Sequence, residues 1–188
     1  MPFVALLDAN VLYPIWLCDV LLTAAQTGVF QVRWSEGILE EAERNVKQNR
    51  PSADAPAISR RFENMRGNFK EAMVTGFEAL EPCMTNDPKD RHVLAAALVG
   101  RADVIVTVNL SDFPEETREP YDIDAQHPDE FLCNQWELDE ELMINAIEDR
   151  LEDYRNPPQS LDTVLQKLDL HTPRFVAMVR ESGESVGD

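Results

Sequence analysis

The feature that most restricts the fold is a pair of short runs, Phe3 to Leu7 and Val104 to Thr107, in which apolar residues follow one another without alternation. A strand with one wet face alternates in polarity, so an unbroken run implies a strand covered on both faces, as in a parallel sheet. Helix-like stretches separate the runs, and strands alternating with helices imply βαβ units. Each run is followed by a carboxylate. Asp8 comes directly after the first, and Asp112 follows the second after a short polar turn. Ligands of open α/β sheets bind at the carboxyl ends of the strands, which is where these acids fall.

The pattern between and beyond the runs predicts the remaining elements. Val11, Leu12, Ile15, Trp16, Val20, Leu21 and Ala24 recur at helical spacing, with Pro14 in the first turn and Gly28 as a stop. Phe30, Val32 and Trp34 alternate as a strand, and Ser35 is placed to cap a helix over residues 36–48. A loop over Asn49 to Pro56 leads to a helix over residues 57–75, and residues 78–84 read as a short strand. Asn86-Asp87-Pro88 is a turn before a helix over residues 89–99 that ends at Gly100. The α/β core, with a central, mostly parallel sheet flanked by helices in three layers, is expected to span residues 1–127. Residues 128–188 form a helical extension, with helices from Pro128, over Asp139 to Tyr154, and over Leu161 to Leu170. A last turn or two over Pro173 to Glu181 and a frayed tail complete it.

Composition narrows the function classes. No run approaches the ~18 consecutive apolar residues a membrane span needs, and the N-terminus lacks the basic flank of a signal peptide. Cys18, Cys83 and Cys133 form no CxxC pair, which fits reduced thiols in the cytoplasm. The net charge of −18 argues at first against nucleic acid, but its distribution is uneven. Residues 121–188 carry seventeen acids against five bases, whereas residues 41–80 carry six against seven. The basic segment holds Arg44, Lys47, Arg50, Arg60 and Arg61, which could track a phosphate backbone. The acidic third is either a solvated face or a docking surface for a basic partner.

Four carboxylates could carry chemistry: Asp8, Glu41, Asp90 and Asp112. Each has a plain structural reading. Asp8 could cap a helix, Asp90 could sit at a helix start where the dipole favours acids, Asp112 could form a turn, and Glu41 could be solvated beside Glu40 and Glu43. Their common placement at one sheet edge instead suggests a shared hard cation, Mg²⁺ or Mn²⁺, with oxygen ligands. Asn10 could orient Asp8 or a bound water. His92, His127 and His171 show no metal-ligand spacing and read as structural or surface residues.

These residues resemble a family. Leu7-Asp8-Ala9-Asn10-Val11-Leu12, the Ser35-to-Glu41 segment, Asn86 to Ala97, and Val106 to Phe113 look like the four signature blocks of PIN domains, closest to PIN-domain ribonucleases of the VapC-like toxin type. The resemblance covers about residues 3–115. It implies a PIN-like fold in which Asp8, Glu41, Asp90 and Asp112 form an acidic quartet, with Mg²⁺ or Mn²⁺ held by Asp8, Asp90 and Asp112. It also implies Thr107 and Asn109 as residues that shape the site. Glu40 competes with Glu41 for the helix position, and Asp87 is an extra acid beside Asp90. The extension, longer than the minimal family core, would bind an antitoxin, form a homodimer or cover the site.

The implied activity is metal-dependent endonucleolytic cleavage of RNA in the cytoplasm, by the toxin of a type II toxin–antitoxin pair. Two phosphotransfer readings fit less well. A haloacid-dehalogenase-type phosphatase needs an acid two residues after Asp8, where this chain has Asn10, and a receiver domain needs paired acids and a late Lys that are absent. The alternative from another class is a catalytically weak PIN-like module that binds a protein through its acidic C-terminal region.

Overall fold

In a computed structural model, residues 3–49, 54–153 and 158–185 are described. The sequence expectations at Arg50 to Ala53, at Tyr154, at Asn156-Pro157 and at the last three residues lie outside them. In chain order the regular elements are β1 (Val4–Leu7), α1 (Ala9–Leu12), α2 (Ile15–Thr27), β2 (Gln31–Ser35), α3 (Glu36–Asn49), α4 (Ala55–Asn68), β3 (Met73–Val74) and α5 (Arg91–Val99). After them come β4 (Val104–Val106), α6 (Glu115–Arg118), β5 (Asp124–Gln126), α7 (Pro128–Leu138), α8 (Glu140–Asp153), α9 (Leu161–Leu168) and α10 (Pro173–Ser185). Among the described residues no helix is long and apolar enough to cross a membrane.

The five strands form one parallel sheet in the order β3-β2-β1-β4-β5. Ala5, Leu6 and Leu7 in β1 and all three residues of β4 are fully buried, as their unbroken apolar runs predict. The chain leaves β1 toward β2 on one side and returns to β4 on the other, so the order reverses between β1 and β4. Leu7 pairs with Val106 at that point, and the Asp8 N–H continues the ladder to the Val106 carbonyl at 3.1 Å. The carboxyl ends of two neighbouring strands therefore open the crevice where such sheets bind ligands.

Several elements differ from the sequence expectation. The first helix is broken at Tyr13-Pro14 into α1 and α2, and Gly28, at φ +89°, ends α2 in the left-handed region open to glycine. The helix expected over residues 57–75 stops at Asn68, and Met73-Val74 instead adds an edge strand beside Trp34 and Ser35. Residues 78–83 form a 3-10 helix rather than a strand. Strand β5 was not anticipated; Asp124, Ala125 and Gln126 pair with Val104, Ile105 and Val106. Helix α10 is thirteen residues long, not a turn or two, and includes the start of the expected tail.

The chain divides into two compact units, Met1–Pro14 with Gln31–Gln126, and Ile15–Phe30 with His127–Asp188. The first holds the sheet. In the second, α2 packs against α8 and α9, and α7 against α10. Buried Asp19 of α2 forms an ion pair with Arg150 of α8 at 2.6 Å. The Asp129 carboxylate of α7 accepts the Arg174 and Phe175 N–H groups at 3.3 and 3.0 Å, which satisfies two of the free donors that start α10.

Candidate metal centre

Every described residue named above as a candidate for metal, shell or RNA contact belongs to the unit that holds the sheet. Asp8 leaves β1 and caps the short helix α1, its Oδ1 accepting the Ala9 N–H at 2.7 Å. The other carboxylate oxygen is not spent on the cap. Asp8 Oδ2 accepts from Asn10 Nδ2 at 2.6 Å and from Thr107 Oγ1 at 2.8 Å. Thr107, fully buried just past β4, in turn accepts from Asn10 Nδ2 at 2.8 Å and from the Asn109 N–H at 3.1 Å. The Val108 N–H closes the ring onto Asn10 Oδ1 at 3.1 Å. A carboxylate that is 6% exposed thus has both oxygens held in place by the two strand ends. Burial pushes its pKa up; hydrogen bonds from Thr107 and Ala9 oppose this, the Glu41 charge adds to it, and His92 opposes it.

Asp90 occupies the cap position of α5 yet makes no capping hydrogen bond through its side chain. Its pKa is pushed up to about 6, first by desolvation and then by the charges of Asp8, Asp112 and Asp87, against a smaller pull from His92. Four acids are therefore close enough to repel. Asp112 lies on a 3-10 turn after β4, and its carbonyl accepts the Asp87 N–H at 3.4 Å, which ties the two acid-bearing loops together. Asp87 itself is committed to a local turn, its Oδ1 accepting the Lys89 N–H at 2.9 Å.

Helix α3 supplies the remaining acid. Its start is capped by Ser35 Oγ, which accepts the Ile38 N–H at 3.3 Å, and Ile38, Leu39, Ala42 and Val46 form its buried face. Glu41 is half-buried at the edge of that face and its charge reaches Asp8. Glu40 is exposed, and its charge is felt by Arg66 instead. The two neighbours, equivalent in sequence, thus point to different surroundings.

The basic residues divide less favourably. Arg44 is exposed, one turn beyond Glu41. Lys47 bonds Glu43 at 2.6 Å, and Arg60 pairs with Asp54 at 3.6 Å. Arg61 is half-buried and has interactions of its own, and Arg50 lies outside the described residues. His92 is the residue that sequence reading set aside and the structure brings in, since its charge reaches both Asp8 and Asp90. Its position two residues after Asp90, on the first turn of a helix, was the available signal.

Among the described residues, no three carboxylate, imidazole or thiol groups close on one point as a finished metal cage. The donor set nevertheless suits a hard divalent cation. It is all oxygen, its charges are mutually unneutralised, and Mg²⁺ characteristically keeps several waters and uses only one or two carboxylates.

Comparison with known proteins gives the following. The family model described as PIN domain matches residues 4–111, and the one described as VapC50 C-terminal domain matches residues 128–181. A curated relative named "Putative ribonuclease VapC50", from Mycobacterium tuberculosis (strain H37Rv), is 43% identical over 109 residues. That alignment spans 58% of this chain and 64% of the relative, just under two thirds of its length. No solved structure matches the chain.

Proposed function

This chain belongs to the PIN-domain family, and from that premise we propose that it is a metal-dependent endoribonuclease, the toxin of a type II toxin–antitoxin pair. The observation that carries the reading is the set of repelling carboxylates at the β1/β4 crevice, with Asp90 raised to about 6. Carboxylates gathered this closely raise one another's pKa, and a bound Mg²⁺ or Mn²⁺ relieves that repulsion. Asp8, Asp90 and Asp112 are the residues that would hold the ion, with Glu41 adjusting the shell. When bound, the cation supplies Lewis acidity toward a phosphate oxygen and a water made more acidic for in-line attack.

The chain's own groups do the rest. Asn10 and Thr107 keep Asp8 Oδ2 in one orientation, so the carboxylate does not have to be ordered at each turnover. Asn109, tied to Thr107 through its N–H, keeps the β4 loop and Asp112 in register with Asp8. Arg44 gives the phosphate backbone a cationic contact beyond the acids; Lys47, Arg60 and Arg61 would do so after exchanging their present partners.

We assign the nuclease to the PIN-like part within residues 1–127, and the binding of an antitoxin or a second copy to residues 128–188. Free thiols at Cys18, Cys83 and Cys133 fit a cytoplasmic setting. The test is cleavage of labelled cellular RNA by the purified protein with Mg²⁺ or Mn²⁺. Cleavage should stop on chelation, return with Mn²⁺, and fall at least ~100-fold in Asp8→Asn; unchanged cleavage by that variant would sink the reading. Calorimetry separates the rival, since a binding module acting through its acidic helices need not take up Mn²⁺ at the quartet.

A further inference from the structure

We propose that His92 is a substrate-binding residue of this site, accepting a ribose hydroxyl of the bound strand at Nε2; the proposal rests on the ribonuclease reading above. The imidazole is anchored at one nitrogen only. Nδ1 lies 2.8 Å from the Lys89 carbonyl oxygen. A carbonyl can only accept, so Nδ1 carries the proton of that bond. Nε2 has no partner among the described residues, although the ring is half-buried.

The free edge of the ring faces the cleft side of α3. Cδ2, the atom bonded to Nε2, lies 3.9 Å from where a Cβ on Gly37 would stand. Gly37 and Glu41 are four residues apart in one helix, so they share a face. The uncommitted edge of His92 therefore looks onto the face that carries Glu41, and glycine at position 37 leaves that edge uncovered. The ring is also near enough to act electrostatically on Asp8 and Asp90.

The chemistry of the surroundings says what such an edge is for. Carboxylates repel a phosphodiester, and a strand entering this crevice needs a hydrogen-bonding group that does not. An imidazole whose Nδ1–H is engaged by Lys89 meets that need, since its Nε2 lone pair can accept the proton of a ribose hydroxyl without adding negative charge.

The two amide substitutions separate the ring's two nitrogens. In His92→Asn the amide reaches the position of Nδ1 and keeps the Lys89 anchor, while in His92→Gln it reaches the position of Nε2. Steady-state cleavage of a single-stranded RNA is measured for both, with thermal melting as a check on folding. His92→Gln is expected to stay within about threefold of the parent, and His92→Asn to raise KM about tenfold with little change in kcat. The reverse order would make His92 a structural anchor and overturn the proposal. So would equal losses in both variants, or none in either, with the parent still active. A parent protein that cleaves no RNA would instead overturn the ribonuclease reading and this proposal with it.

Discussion

Thr107 Oγ1 is the atom through which the two central strands share one carboxylate, since it donates to Asp8 Oδ2 and accepts from Asn10 and Asn109. Thr107→Val keeps the shape and removes the hydroxyl, leaving two donors without their acceptor. Cleavage is expected to fall at least ~10-fold with the fold retained, as when a partner that orients a metal ligand is lost; a parent-like rate would refute this role. Asp90 gives a pH prediction. Folding raises its pKa from 3.8 to about 6, so the folded chain holds that proton more tightly than the unfolded chain. Its ionised form therefore costs stability at pH 7, and the cost fades as pH falls through about 6 and is gone below about 4. With chelator present, Asp90→Asn should stabilise the protein at pH 7 by about 1 kcal/mol, after discounting for solvent at a half-buried group, and by little at pH 4.5. Melting curves at the two pH values check the sign. Asp8 and Asp112 were legible as candidate site acids because each follows an apolar run. The choice between Glu40 and Glu41, and the presence of His92, were not, because adjacent helical positions differ only in what they pack against.

At the level of elements, Gly100 shows how close α5 approaches the sheet. Its φ of −71° is open to any residue, so conformational freedom is not why glycine stands there. An added Cβ would lie 2.8 Å from Val74 Cγ2 and 3.0 Å from the Ala96 carbonyl oxygen. Gly100→Ala should destabilise by about 1–3 kcal/mol, as overpacking does, despite the higher helix propensity of alanine; denaturant midpoints measure it, and a stabilised variant would contradict the packing argument. Val74 also belongs to a strand that the local pattern does not show. Met73-Val74 followed a helix-like pattern in sequence, and only pairing with Trp34-Ser35 makes it β3. Asp124-Ala125-Gln126 has no strand signature, and becomes β5 by pairing with the buried run Val104 to Val106. Pro82 lacks the N–H that a paired strand would use, which suits residues 78–83 to the 3-10 helix observed. Where an element was read correctly, as in β1, β4, α3 and α5, the local apolar pattern agreed with the final packing.

For the whole molecule, the consequence lies with α2. Leu17, Val20, Leu21 and Ala24 are buried in a unit whose other helices all follow residue 127, and Asp19 relies on Arg150 from 131 positions later. A chain ending at His127 would expose that apolar face, at roughly 1.5–3 kcal/mol for each large side chain, and remove the Arg150 ion pair from a buried acid. Such a truncation should be insoluble or lose its cooperative melting transition, and one that melts like the full chain would show that α2 does not depend on the extension. Arg150→Met in the full chain should lower its denaturant midpoint through loss of that ion pair, by up to about 3 kcal/mol. The division of labour between sequence and fold is then clear. Local pattern alone determined the buried strands, most helices, the α/β class and the three aspartates at strand and helix ends, because periodicity, caps and turns act over a few neighbouring residues. Tertiary structure alone decided that Glu41 and His92 come within electrostatic reach of Asp8, that Lys47 and Arg60 are already paired, and that α2 packs with helices more than a hundred residues away. These are matters of which distant faces meet, and a linear pattern records which face is apolar but not what will cover it.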